Sequence, residues 1–279
     1  MARFPLLISG KELSAHLGEQ NLIVVDVGKS TVYSQAHIPG AIHVDYRRLQ
    51  KGELPVPGLA PALEDVAALL TEIGVTPETH VVAYDDEGGT RAARFLWLLD
   101  AFSHQHFSFL DGGIHAWLAE DLPYEVEPAV ATSVQYPLTS LIAKPQINLD
   151  YLLNHYRDED VQIWDARTPE EFSGERVMAQ RRGHIPGAIN YNWENAIDRA
   201  NDDRVRNIDI IRTELNRAGI SGDKKIITHC QTHHRSSFTW LLGKILGFDI
   251  IGYPGAWAEW GNHPATPVAT LYQTEDLSS

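Results

Sequence analysis

A chain of 279 residues, 43% hydrophobic and 22% charged, has a globular composition and the length for one large domain or two ordinary ones. Its 37 acidic against 23 basic residues give a formal net charge of −14, which argues against nucleic acid and anionic membrane as partners. A single cysteine excludes an internal disulfide and fits a reducing compartment. The first ten residues lack the longer apolar core of a signal peptide, and no apolar run approaches the roughly 18 residues of a membrane span. A cytoplasmic location is expected.

In chain order, Leu22–Val25 reads as a buried strand ending at Asp26, and His37-Ile-Pro-Gly-Ala-Ile42 as a turn into the next element. Leu63–Ile73 has helical periodicity, His80–Tyr84 reads as a second buried strand, and Arg91–Phe102 as a second helix. Tyr124–Lys144 has little periodicity and many small polar residues, as a surface linker would. Beyond it, Val161–Trp164, Lys225–His229 and Asp249–Ile251 read as strands, and Ile208–Ala218 and Ser236–Leu246 as helices.

The second half repeats the first at an offset of about 140 residues. Leu22-Ile-Val-Val-Asp26 answers Val161-Gln-Ile-Trp-Asp165, and the His-Ile-Pro-Gly-Ala-Ile block recurs unchanged at His184–Ile189. Val81–Asp85 answers Ile226–Cys230, and Gly112 with Trp117 answers Gly255 with Trp260. Alternating strands and helices in each copy predict an α/β fold of two similar domains, each a mostly parallel sheet flanked by helices. The expected boundaries are residues 1–125 and 147–279, joined by a linker at 126–146. Because the His-Ile-Pro-Gly-Ala block occurs in both copies, His37 and His184 are expected to serve the turn rather than chemistry.

Cys230 falls at the carboxyl end of an apolar strand, just before a short loop, Gln231-Thr-His-His234, and a helix starting near Arg235 or Ser236. In open α/β sheets that edge is where ligands bind. A helix N-terminus and a loop of inward N–H groups both stabilise an anion, so they should favour the thiolate and, equally, a persulfide. His233, His234 and Arg235 add local positive potential to an acidic chain, and Arg235 can fork onto an oxyanion. Three other readings compete. A buried structural thiol would sit more naturally inside the apolar run. A metal site built from His229, Cys230, His233 and His234 would draw ligands from one tight loop, pointing apart. A non-catalytic binding module would make Cys230 dispensable.

Taken together, the paired Asp and His-Ile-Pro-Gly-Ala segments, the strand–Cys–loop–helix unit at Ile226–Leu242 and the closing Tyr253-Pro-Gly-Ala-Trp-Ala-Glu-Trp-Gly261 resemble the rhodanese family. The resemblance spans roughly residues 8–268 and is to its tandem-domain thiosulfate sulfurtransferases, with a Cys-Gln-Thr-His-His-Arg loop of the Azotobacter type. It implies an inactive first domain, and here Asp85 stands at the position of Cys230. It implies double displacement through a Cys230 persulfide, with thiosulfate as the small anionic donor and cyanide as the assay acceptor. It implies no cofactor and no metal. Backbone N–H groups from Gln231, Thr232, His233 and His234 would hold the charged sulfur, Arg235 the donor's sulfonate end, and Asp165 is an orienting candidate.

Two departures bear on the donor. Better-studied relatives carry an arginine soon after the second-domain aspartate, and Glu171 falls there in this chain. The loop also lacks the patterns of the vertebrate thiosulfate enzymes and of the mercaptopyruvate enzymes, so 3-mercaptopyruvate is the nearest competing donor. A Cys-dependent phosphatase needs a loop of Cys-x5-Arg to cradle a phosphoryl group, whereas Cys230 to Arg235 is one residue shorter.

Overall fold

The computed structural model describes residues 4–144 and 146–271. The chain divides into two compact units. The first comprises residues 1–52, 60–146 and 196–208, and the second residues 53–59, 147–195 and 209–279. The segment expected to link the domains is thus grouped with the first unit, and two short segments, 53–59 and 196–208, are exchanged between the halves of the sequence. The outermost residues of both expected domains, 1–3 and 272–279, lie outside the described residues.

The first unit holds a sheet of β1 (Leu7–Ile8), β2 (Leu22–Asp26), β3 (Ile42–His43), β4 (His80–Tyr84) and β5 (Phe107–Leu110), ordered β1-β5-β4-β2-β3. Every pairing is parallel. The second unit repeats this with β6 (Val161–Asp165), β7 (Ile189–Asn190), β10 (Lys225–His229) and β11 (Ile250–Gly252), ordered β11-β10-β6-β7 and again parallel throughout. Between them in sequence, β8 (Ile197–Asp198) and β9 (Arg204–Val205) form a small antiparallel pair in the exchanged segment. Val205 N–H donates to Asp111 at 2.8 Å and Arg204 to Glu120 at 2.6 Å, which fixes that segment within the first unit.

The physical reason for the central strands is burial on both faces. All five residues of β4 and the last four of β10 are buried, as in a parallel sheet covered by helices. Helix Arg235–Ile245 follows β10 and buries Phe238, Trp240, Leu241 and Leu242. The core of the second unit continues through Ile163, Ile185, Ile227, Tyr253, Trp257 and Trp260. Among the described residues, no helix is long and apolar enough to cross a membrane.

The two identical turn blocks do the same job in each unit. His37 Nδ1–H donates to the Tyr33 carbonyl at 2.8 Å and its ring stacks on Tyr33 at 3.9 Å. His184 Nδ1–H donates to the Phe172 carbonyl at 2.8 Å and its ring stacks on Phe172 at 3.7 Å. Each also makes a backbone bridge to a later segment of its unit, His37 with Glu125 and His184 with Ala269. These histidines tie a turn to a helix and a closing segment.

Candidate active site

Cys230 begins the loop between β10 and helix Arg235–Ile245, at the carboxyl edge of the second sheet. It is fully buried and is a free thiol. Its carbonyl accepts the Trp257 N–H and the Gln231 carbonyl accepts the Ala258 N–H, both at 2.9 Å, so helix Ala256–Trp260 clamps the start of the loop. From below, His229 Nδ1–H donates to the same Cys230 carbonyl at 3.1 Å.

The loop is tight. His233 has φ +56°, a left-handed conformation that a side chain rarely takes, and it directs the chain into the helix. The Gln231 side chain is committed outward, donating to the Met178 carbonyl at 2.9 Å. Thr232 is covered by the exchanged segment: a Cβ on Gly58 would lie 2.2 Å from the Thr232 carbonyl oxygen and 3.0 Å from that of Pro254. Only glycine permits that approach of backbone to backbone.

Burial alone would push the Cys230 thiol up, but the Arg235 charge, the Ser236 hydroxyl and the N–H groups of Ser236 and Thr232 outweigh it, and the thiol is lowered. His233 Nδ1 lies 2.7 Å from Ser236 Oγ. Arg235 and the first turn of the helix thus give Cys230 the environment that stabilises a thiolate.

Arg235 bridges two groups. Its Nη1 and Nη2 donate to Glu171 Oε2 and Oε1 at 2.6 and 2.9 Å, and its charge favours the Cys230 thiolate. Glu171 is 2% exposed. Burial would raise its carboxyl, yet the two-point bond to Arg235 and that residue's charge hold it below the ordinary range. A capping box aims it: Thr168 is the N-cap of helix Pro169–Ser173, and Glu171 is its third residue, accepting the Thr168 N–H at 3.2 Å.

Asp165 ends β6 and pairs in register with His229 on β10. Its carboxylate accepts Arg167 Nε and Nη2 at 2.9 and 2.6 Å, and Arg167 in turn lies over the Trp257 ring and donates to the Gly183 carbonyl. Burial disfavours the Asp165 anion, but Arg167 holds its carboxyl below the usual value. His229 Nε2 stands 3.6 Å from Asp165 Oδ2. Asp165 therefore braces the floor under the loop, through Arg167 and His229. Among the described residues, no group of three or more His, Cys, Asp or Glu side chains is arranged to hold a metal ion.

The equivalent loop of the first unit, Asp85–Gly89, shows what this architecture binds. Asp85 Oδ1 accepts the N–H groups of Glu87 and Gly89 at 3.0 and 2.8 Å, and Oδ2 those of Arg91 and Ala92 at 2.8 and 2.9 Å. Helix Thr90–Ala101 contributes the last two from its first turn. Burial raises the Asp85 carboxyl against the pull of these donors. The loop is an anion cradle already filled by its own side chain.

The sequence placed Cys230 and the loop from Gln231 to Arg235 together, and the structure brings Asp165 beneath them. It did not reveal Ser236, which helps lower the Cys230 thiol but looks like any polar residue in a helix's first turn. Nor did it reveal that Glu171, noted only as a departure, grips Arg235 from 64 residues away.

The Rhodanese-like domain family matches the chain twice, over residues 9–120 and 148–263. The chain is 47% identical over 268 residues to a thiosulfate sulfurtransferase of Azotobacter vinelandii, covering 96% of this chain and 98% of that one. It is 46% identical over 265 residues to a thiosulfate sulfurtransferase of Pseudomonas aeruginosa, covering 95% and 97%. Among solved structures, the anaerobic ergothioneine biosynthesis enzyme of Chlorobium limicola, bound to trimethyl histidine, superposes with a TM-score of 0.85 at 22% identity. That match covers 96% of this chain and 71% of the other, and it speaks to the fold alone. With both halves matched by the same domain and relatives this similar over their whole length, the chain belongs to the rhodanese family.

Proposed function

We propose that this protein is a sulfurtransferase that takes the outer sulfur of thiosulfate onto Cys230 and passes it to a thiophilic acceptor. The catalytic domain is the second, residues 147–279, and the first, residues 1–125, is an inactive scaffold. The observation that carries this reading is the pair of loops. Asp85 places its carboxylate oxygens two bonds beyond Cβ, inside a nest of four N–H donors. The outer sulfur of a Cys230 persulfide also lies two bonds beyond Cβ. The loop at Cys230 is therefore shaped for a persulfide anion.

The cycle follows from the geometry. The Cys230 thiolate, stabilised by Arg235 and Ser236, attacks the outer sulfur of thiosulfate. A bond forms from Sγ to that sulfur, the sulfur–sulfur bond of thiosulfate breaks, and sulfite departs with the electron pair. The persulfide anion settles among the N–H groups of Gln231 to Arg235, which are fixed before the charge arrives. Arg235 follows the sulfur through the cycle. Cyanide then attacks the outer sulfur, thiocyanate leaves, and the Cys230 thiolate returns. Asp165 orients the loop from beneath, through His229 and Arg167.

Initial rates with thiosulfate and cyanide test this reading. Parallel double-reciprocal lines and complete loss of activity in Cys230→Ser are expected. Intersecting lines, or turnover that survives Cys230→Ser, would refute it.

A further inference from the structure

We infer that Glu171 sets donor choice: by neutralising Arg235 through a two-point bond, it restricts the site to donors whose charge is borne next to the transferred sulfur. The inference rests on the sulfurtransferase reading and deepens it.

The argument begins with what Arg235 has left to give. A guanidinium offers five N–H donors in a rigid fork. Nη1 and Nη2 each spend one on Glu171, at 2.6 and 2.9 Å, and the remaining charge acts on the Cys230 thiol. Glu171 is buried and fixed by its capping box, so it cannot swing away when a donor enters. The charge of Arg235 is thus shared between a permanent carboxylate and a transient thiolate.

Thiosulfate suits this arrangement. Its negative charge is spread over the sulfur to be transferred and the sulfonate bonded directly to it. Backbone N–H groups around Cys230 and the sulfur-facing side of Arg235 meet that charge at the reacting atoms. A 3-mercaptopyruvate molecule carries its carboxylate three bonds from the sulfur. To bind well it needs an uncompensated cation beyond the sulfur, and Arg235, the cation of this loop, is closed into an ion pair with Glu171. Repulsion by Glu171 and the neutrality of Arg235 both act against it.

Glu171 is on this account a positioning residue, acting through Arg235. The test uses the full chain and its Glu171→Gln and Glu171→Asp variants. Glutamine keeps the cap and one acceptor oxygen but removes the charge. Aspartate keeps the charge but is one methylene short of the two-point grip. For Glu171→Gln, KM for 3-mercaptopyruvate should fall by about tenfold while kcat/KM for thiosulfate changes by less than about threefold. The pH midpoint of Cys230 alkylation by iodoacetamide should move down, because Arg235 no longer shares its charge. For Glu171→Asp the donor preference should persist while kcat falls with both donors.

Intact mass separates the layers of the argument. If neither donor adds sulfur to Cys230 in the wild-type chain, the sulfurtransferase reading itself fails. If sulfur is added but Glu171→Gln leaves the ratio of the two donors unchanged, or shifts both equally, this inference fails alone. Should Glu171→Gln not fold, a loss of donor preference in Glu171→Asp would equally overturn it, since that variant retains the charge held responsible.

Discussion

The carboxylate of Asp85 and the sulfur of Cys230 stand at the same position of two copies of one strand–loop–helix unit. Asp85 is held by the N–H groups of Glu87, Gly89, Arg91 and Ala92, and the N–H groups of Thr232 and Ser236 favour the Cys230 thiolate. Thr232 and Ser236 are the residues at the positions of Glu87 and Arg91. In one copy the acceptor is the protein's own carboxylate; in the other it is the thiol proposed to carry the sulfur.

Removing the permanent anion should cost stability rather than chemistry. Asp85→Ala leaves four converging N–H donors without their acceptor in a buried loop. The unpaired donors should cost about 3 kcal/mol, seen as a lower urea midpoint, while under native conditions Cys230 still takes up sulfur. A variant as stable as the parent would show that the cradle is not under load.

Burial pushes the Cys230 thiol up, and the Arg235 charge is the largest of the influences that together lower it. The reactive fraction is thiolate, so alkylation should rise with pH through a midpoint below the ordinary value of about 8.5. Arg235→Gln removes the charge and must move that midpoint upward. Persulfide formation near neutral pH should drop by about 10- to 100-fold, as expected for a lost charge-assisted bond. A downward or absent shift would contradict the assignment.

The Ser236 hydroxyl also lowers the Cys230 thiol, and it lies 2.7 Å from His233 Nδ1. Ser236→Ala should also move the alkylation midpoint upward, by less than Arg235→Gln, and slow sulfur uptake by about tenfold. Comparison of the two pH profiles at matched ionic strength checks the ranking.

Gly58 touches no reacting group, yet its substitution should reach the site. A Cβ there meets two backbone carbonyls, of Thr232 and Pro254, neither of which can rotate away. Gly58→Ala is expected to cost about 1–3 kcal/mol by overpacking and to reduce sulfur uptake by displacing the loop. Thermal melting together with sulfur loading measures both.

Much of the fold was legible because buried parallel strands read as plain apolar runs. Strands His80–Tyr84 and Lys225–His229 and helix Ile208–Ala218 fall where the sequence placed them. The two-residue strands Ile42–His43 and Ile189–Asn190 were hidden, since each is a brief edge pairing after a Pro-Gly turn, too short to have a period. The exchange of segments 53–59 and 196–208 was invisible for a different reason. It depends on single tertiary contacts, such as Gly58 against Thr232 and Arg204 with Glu120, which leave no periodic trace.

At the site, local order along the chain carried the reading from Cys230 to Arg235, because strand end, loop and helix start are consecutive. The sequence could mark Glu171 as unusual but not say what it faces. Only the capping box at Thr168 and the approach of its helix to Arg235 turn that oddity into a two-point bond.

The central claim is that Cys230 carries the sulfur. Intact mass of the whole chain after thiosulfate treatment tests it most directly. The account predicts a gain of one sulfur atom, about 32 Da, that cyanide removes and that Cys230→Ser never acquires. No gain under thiosulfate, or a gain that persists in Cys230→Ser, would contradict it.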